Sequence, residues 1–339
     1  MIILFAGNHV FYFITKDTLM PTIDELTFSD LYITPSGHIL THDLRSSHGL
    51  MALENITDFK EFHQALHAAW KGKSSYSMVY NNYSYRVERV LTMRGIQYTA
   101  RRMPVAIPDI HKLGYMENLI AHLTSMSKAT GLLLWAGATS SGKTTAASCI
   151  LKSFLDNEGG VAYTIEDPPE LPLDGIWRAK NGTLALCSQT EPALDDWAES
   201  LKSALRSHPR YILVGEIRSP EAASELLRAS ISGHLVMSTI HANNVADALQ
   251  SVIKYASAAD LSEELAATML GRSLLGVVFQ NLVRGQGKIR PEVSFAFANP
   301  NKDDGDQLRS CVCDQQFALG TIIESQMARL LQGKKLFAP

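Results

Sequence analysis

"GLLLWAGATSSGKTT", Gly131–Thr145, is the stretch from which the fold can be read. Its first half is an unbroken apolar run, the pattern of a strand buried on both faces. Its second half is G-x-x-x-x-G-K-T, from Gly137 to Thr144, and a helix is expected from about Lys143. Strand, glycine-rich loop and helix in that order are the context a phosphate-binding loop needs. The glycines let backbone N–H groups close around phosphate oxygens, and the helix N-terminus adds partial positive charge. The expected nucleotide-binding residues are therefore Gly137, Ala138, Thr139, Ser140, Ser141, Gly142, Lys143, Thr144 and Thr145. Lys143 is expected to reach the β/γ-phosphates, and the Thr144 hydroxyl to ligate Mg²⁺. A chance glycine-rich turn is the competing reading, and the agreement of strand, loop and helix argues against it.

Working outward, strands alternate with helices, which implies an α/β unit with a mostly parallel sheet. "GVAYTIED", "YILVGE" (211–216) and "HLVMSTIH" read as buried strands. "LDDWAESLKSALRSH" places Leu194, Trp197, Ala198, Leu201, Ala204 and Leu205 on one helical face. "SPEAASELLRASISG" is a helix with Ser219 as N-cap, Pro220 in the first position and Gly233 as terminator. Hydrolysis also requires an acid near Mg²⁺ or water at a neighbouring strand end. Glu216 ends one strand; "TIEDPPE" offers Glu166, Asp167 and Glu170 at the end of another. Pro168 and Pro169 stop that strand and set the turn that presents Glu170. Solvated loop charge is the bland alternative for all these acids. "SGHLVMSTIHANN" (232–244) adds His234 and His241. Spacing alone leaves a metal site, a catalytic pair and two core histidines open. On a strand, His241 falls at the C-terminal end, where open parallel sheets bind ligands, and His234 at the opposite end.

The N-terminal part reads differently. Residues 1–19 open with an apolar run too short to span a bilayer and without the positive flank of a signal peptide. They are either a leading strand or an extension ahead of Met20. Residues 20–103 look like a small α+β domain. "DLYITPSGHIL" is a strand–turn–strand, and "DFKEFHQALHAAWKG" carries Phe59, Phe62, Leu66 and Trp70 at helical spacing up to Gly72. "YSYRVERVLTMRGIQYTARR" reads as a hairpin around Thr92–Gly95. That register sets Arg86 opposite Arg101, and like charges directly opposite are destabilising. An anion would relieve the cost, since the hairpin has only Glu88 as an acid. A solvated basic strand pair and a nucleic-acid stripe are the competing readings. Residues 104–114, within the proline-punctuated "MPVAIPDIHKLG", form the expected linker, and 115–339 the second domain.

Composition sets outer bounds. The chain has 339 residues, 46% hydrophobic and 19% charged, with a net charge of −3. That balance suits a globular protein and is poor for blanketing nucleic acid or an anionic membrane. No direct nucleic-acid partner and no membrane insertion are expected. The four cysteines, Cys149, Cys187, Cys311 and Cys313, form no C-x-x-C pair, consistent with a reducing compartment.

At these residues the chain resembles the secretion ATPase superfamily of type IV pili, type II secretion and type IV secretion or conjugation. The resemblance covers about residues 25–300 and rests on four ordered boxes. "GATSSGKTT" matches the Walker A box, "TIEDPPE" the Asp box, "ALRSHPRYILVGEIR" the Walker B box and "SGHLVMSTIHANN" the His box. The resemblance implies a PAS-like N-terminal domain, a RecA-like ATPase domain, a homohexamer and ATP with Mg²⁺ as ligands. It implies Glu170 as the group that orients or deprotonates the attacking water, and Glu216 as the acid supporting Mg²⁺. It places His234 and His241 near the γ-phosphate and the interdomain contacts. "YRVERVLTMRGIQYTAR" resembles the family segment whose arginines contact nucleotide, implying that Arg86, Arg94 and Arg101 sense γ-phosphate. The sequence departs from the pattern at His208, Arg210 and Ser219 around Walker B, and at Ser140–Ser141 in the loop.

The length suits the short PilT-like or DotB-like members. The tail "CVCDQQFALGTIIESQMARLLQGKK" is expected to be helical. The expected function is a hexameric motor driving a type IV pilus, in retraction or assembly, or a related secretion or conjugation machine. It would act at the cytoplasmic face of the bacterial inner membrane, on a platform or secretion-complex protein. A VirB-type traffic ATPase, a non-hydrolysing nucleotide-binding scaffold and a RecA-like nucleic-acid motor are the alternatives.

Overall fold

The computed structural model describes residues 4–6, 9–11, 20–42, 49–192, 196–285, 288–299 and 306–337. The chain divides into two compact units, Met1–Val105 and Ala106–Pro339. The division falls inside the proline-punctuated stretch.

In the first unit, β1 (Leu4–Ala6) and β2 (His9–Phe11) pair antiparallel with each other. The main sheet is built from β3 (Asp30–Ile33), β4 (Ile39–His42), β5 (Leu50–Leu53), β6 (Ser75–Tyr80), β7 (Tyr83–Thr92) and β8 (Gly95–Arg102). Its order is β5-β4-β3-β8-β7-β6, and every pair is antiparallel. Helix α1 (Phe59–Ala68) buries Phe62 and Leu66 against the alternating inward residues Tyr76, Met78, Tyr85 and Val87. The Tyr76 hydroxyl anchors the helix by donating to the Leu66 carbonyl at 2.6 Å. The predicted hairpin forms with Thr92 opposite Gly95 and Arg86 opposite Arg101.

The second unit contains, in chain order, α2 (Glu117–Ser125), β9 (Gly131–Ala136), α3 (Lys143–Glu158), β10 (Gly160–Ile165), β11 (Gly175–Arg178), β12 (Leu184–Thr190), α4 (Trp197–Arg206) and β13 (Tyr211–Val214). Then follow α5 (Pro220–Ile231), β14 (Leu235–Ile240), α6 (Val245–Ala259), α7 (Glu263–Ser273), β15 (Leu274–Gly285), β16 (Lys288–Phe297), α8 (Gln307–Cys313) and α9 (Gly320–Leu331). The sheet order is β11-β12-β10-β13-β14-β9-β15-β16. The six inner strands run parallel, and β11 and β16 close the edges antiparallel. A mostly parallel sheet is therefore what the alternating pattern builds.

Residues of β9 illustrate why the inner strands read as continuous apolar runs. Leu132 and Leu134 face a core shared with α4, α5, α6 and α7, while Leu133 and Trp135 face one shared with α2 and α3. With helices on both faces, no position on the strand meets water. The expected caps of α5 are present: the Ser219 hydroxyl accepts from the Ala222 N–H, Pro220 is the first helical residue, and Gly233 follows the helix at φ +97°. Helix α4 is shorter than its periodicity suggests. It starts at Trp197, capped by the Asp196 carboxylate, and Leu194 lies outside the described residues. The tail is helical, as α8 and α9.

Candidate nucleotide site

The loop after β9 emerges at the carboxyl edge of the sheet, between the ends of β14 and β15. Close packing dictates its glycines. A Cβ on Gly137 would lie 2.2 Å from the Gln280 carbonyl oxygen, and Gly142 adopts φ +85° immediately before α3. Ser140 holds φ +60°, a left-handed conformation that glycine adopts freely and serine only at a cost. This is where the sequence departs from the Gly-Ser of the family pattern.

Lys143 opens α3 and is largely buried. Its ammonium donates to the carbonyls of Gly137 (3.1 Å) and Ala138 (2.8 Å), so it lies curled across its own loop. Burial lowers its pKa, while Glu216 and Glu170 pull it back up. The buried Ser141 hydroxyl has no hydrogen-bond partner among the described residues, and the first N–H groups of α3 lack intrahelical acceptors. The loop thus carries an ammonium, a hydroxyl without a partner among the described residues, and the N–H groups of a helix start. That donor set fits polyphosphate.

Beside it, a cavity of about 50 Å³ is lined by Thr144, Glu166, Glu170, Glu216 and Arg218, among others. Adjacent parallel strand ends bring these groups together. Glu166 follows β10, Glu216 lies two residues beyond β13, and the Thr239 hydroxyl of β14 ties the strand ends by donating to the Gly215 carbonyl at 2.6 Å. Glu170 follows the two prolines, the first of which has a cis bond to Asp167.

Glu216 is held from both sides. Its Oε1 lies 2.7 Å from Nε2 of His241, and its Oε2 accepts from Nε of Arg218 at 2.5 Å. His241 therefore stands at the carboxyl end of β14 and is bonded to an acid of the site. His234 is at the far end of the same strand, where Nδ1 lies 2.6 Å from the Pro209 carbonyl. Seven residues at about 3.3 Å each separate the two histidines by roughly 23 Å. The structure does not bring His234 to the loop.

Arg86, Arg94 and Arg101 belong to the first unit. Strand β3 supplies an acid that relieves part of the cost of setting Arg86 opposite Arg101. Asp30, buried and paired in register with Arg101, lies 2.8 Å from its Nε. Counting acids within the hairpin missed a partner from another strand. Arg89 stacks over Trp70 at 4.0 Å, and Arg102 lies between Phe28 and Tyr83 while donating to the Leu26 carbonyl. Arg94 is exposed at the turn, on a groove of about 440 Å³ that also holds His63, His67 and Tyr98.

Sequence reading missed Arg218, Gln280 and Tyr115. Gln280 is buried in β15, donates to the Ser141 carbonyl at 2.6 Å and accepts from the Tyr115 hydroxyl. One signal was available, a glutamine inside the apolar run "LLGVVFQNLV". Its partners lie far away in the chain.

The family model described as "Type II/IV secretion system protein" matches residues 71–332. The chain belongs to the type II/IV secretion system protein family. The type II secretion system ATPase E of Vibrio cholerae is 34% identical over 199 residues, covering 58% of this chain and 35% of that protein. The twitching motility protein of Neisseria gonorrhoeae is 29% identical over 219 residues, covering 64% and 56%. The match spans about a third of the length of the type II relatives. Among solved structures, the ADP-bound pilus retraction motor PilT aligns with a TM-score of 0.67 at 22% identity, covering 92% of this chain and 88% of that one. The Legionella pneumophila ATPase DotB aligns at 0.64 and 20% identity, covering 91% and 93%. The two-unit fold of this family member is thus that of the secretion and pilus ATPases.

Proposed function

We propose that this family member is an ATP-hydrolysing motor subunit that assembles as a homohexamer and drives a type IV pilus or a related type IV secretion or conjugation machine. The observation that carries the reading is the placement of Glu216, clamped by His241 and Arg218, in one small cavity with Thr144 and Glu170 beside Lys143. A pure binding scaffold has no need of two carboxylates held next to a phosphate loop.

In this account Gly137–Thr145 bind the phosphates of ATP. Lys143 exchanges its two loop carbonyls for phosphate oxygens. Glu170 orients the attacking water and accepts its proton. The Thr144 hydroxyl and the Glu216 carboxylate line the same cavity, and this oxygen donor pair suits Mg²⁺. Bound there, Mg²⁺ would supply charge neutralisation for the phosphates. His241 holds Glu216 in place and so links the His box to nucleotide state. His234 passes that state on through the Pro209 contact at the other end of β14. Arg86, Arg94 and Arg101 serve as the γ-phosphate sensors that couple hydrolysis to domain closure. The motor works peripherally at the cytoplasmic face of the inner membrane, on a platform or secretion-complex protein. Among the described residues no helix is long and apolar enough to cross a membrane.

The test is a split between binding and turnover. Glu170→Gln should bind ATP within about threefold of the parent yet lose phosphate release by about a hundredfold or more. An unaltered protein that binds ATP without releasing phosphate would establish the scaffold instead, and turnover stimulated by DNA would favour a nucleic-acid motor.

A further inference from the structure

The loop that carries Glu170 is stitched at both ends by one side chain the hydrolytic motif does not include. Gln189 is the penultimate residue of β12, in register beside Thr164 of β10. Its amide nitrogen donates to Glu166 Oε1 and to the Leu171 carbonyl, both at 2.8 Å. Its amide oxygen accepts from the N–H groups of Leu173 (3.1 Å) and Asp174 (3.3 Å). The Gln189 backbone N–H donates in turn to Asp174 Oδ1 at 2.9 Å. One amide therefore spans the residue that begins the turn and Leu171, Leu173 and Asp174 beyond Glu170. Both its donors and both its acceptor directions are used.

Glu166 is the other half of the arrangement. It is 2% exposed, its backbone N–H donates to the Thr190 carbonyl at 2.9 Å, and a Cβ on Gly215 would press to 3.3 Å on its Cα and Cγ. Its Oε2 is buried without a hydrogen-bond partner among the described residues. Burial pushes its carboxyl pKa up, the Glu170 charge adds to the rise, and the Gln189 hydrogen bond opposes it. Such a group has little room to follow a drifting partner. It offers a fixed point from which the amide holds the far limb of the turn.

We propose that Gln189 is a positioning residue for hydrolysis: by bridging Glu166 and the 171–174 backbone, it fixes where the Glu170 carboxylate stands. The inference rests on the reading of Glu170 as the group that handles the attacking water. Neither a carboxylate nor an aliphatic side chain at position 189 can replace the amide. Glutamate loses both donors, and leucine loses all four bonds. None of these Gln189 hydrogen bonds reaches the 137–145 loop, so its loss should leave the ATP cradle in place.

The test compares Gln189→Leu, Gln189→Glu and Glu170→Gln in the full chain, reading ATP affinity, steady-state phosphate release and thermal melting. The expected result for the Gln189 variants is a fall in kcat of about ten- to a hundredfold, because a misplacement near 1 Å can cost about 10²-fold, with ATP Kd within about threefold. Should neither Gln189 variant fold, Glu166→Gln and Glu166→Ala replace them. Glu166→Gln keeps an oxygen for the Gln189 amide and should lose at least about tenfold less kcat than Glu166→Ala. Near-parental kcat in Gln189→Leu beside an inactive Glu170→Gln overturns the clamp and leaves the Glu170 reading standing. An active Glu170→Gln overturns the Glu170 reading and the clamp with it. Equal losses in the two Glu166 variants, or kcat and ATP affinity falling together with melting temperature, show a merely structural stitch and also overturn the proposal.

Discussion

Replacing His241 with alanine removes one of the two groups that hold Glu216. The lost contact is a 2.7 Å bond from an imidazole nitrogen to Oε1 of a carboxylate whose side chain is only 12% exposed. A hydrogen bond to a charged group contributes about 1.5–3 kcal/mol. The imidazole is half exposed, which reduces that value, and Arg218 still grips Oε2. A net loss of about 1–1.4 kcal/mol follows if the bond is needed while the phosphoryl group transfers, which is a fall of about five- to tenfold in kcat. ATP affinity should change little, because His241 is bonded to Glu216 and not to the 137–145 loop. Adding Arg218→Ala should cost more than the product of the single effects, since each group compensates for loss of the other. Phosphate release under saturating ATP, with Kd measured in parallel, reads both quantities. A His241→Ala protein whose kcat stays within about twofold of the parent would refute the role given to this bond.

Three further outcomes follow from the same geometry. Gln280→Leu leaves the buried Ser141 carbonyl and the Tyr115 hydroxyl without their partner, so stability should fall by about 2–4 kcal/mol and Tm by roughly 5–12 °C; an unchanged melting curve contradicts the buttress. His122, packed edge-on against Phe297, has its pKa lowered by burial from 6.5 to about 4. Below pH 6.5 the unfolded chain takes up that proton first, so stability is complete above pH 6.5 and falls by on the order of 3 kcal/mol as pH drops to about 4. His122→Leu should flatten that limb in urea titrations, and an identical pH slope in the variant rules the assignment out. Arg86→Ala should lower turnover far more than ADP affinity, whereas Arg101→Ala should in addition destabilise the protein by removing the cation that faces the buried Asp30; unchanged turnover in Arg86→Ala removes it from the sensor group.

What could be read from the sequence was what nearby residues determine. Gly131–Thr145 announced a strand, loop and helix because the apolar run, the glycines and the helix start lie within fifteen residues. The α5 caps and the Thr92–Gly95 turn were legible for the same reason, and with the turn came the Arg86–Arg101 register. Contacts between distant segments were not. Asp30 meets Arg101 across seventy-one residues, and Gln280 meets Ser141 across one hundred and thirty-nine. The edge strand β11 was not legible either, since it has only four residues and depends on β12 for pairing. Both histidines were placed at the correct ends of β14. The bond from His241 to Glu216 depends on β13 and β14 being neighbours, which sheet order decides and local sequence does not.

The central claim is that the Gly137–Thr145 loop and the acids beside it hydrolyse ATP. Steady-state phosphate release from ATP with Mg²⁺ by the unaltered chain, set against Lys143→Ala, tests it most directly. The account predicts turnover in the parent and none above background in Lys143→Ala. A parent protein that binds ATP but releases no phosphate, or a Lys143→Ala variant as active as the parent, would contradict it.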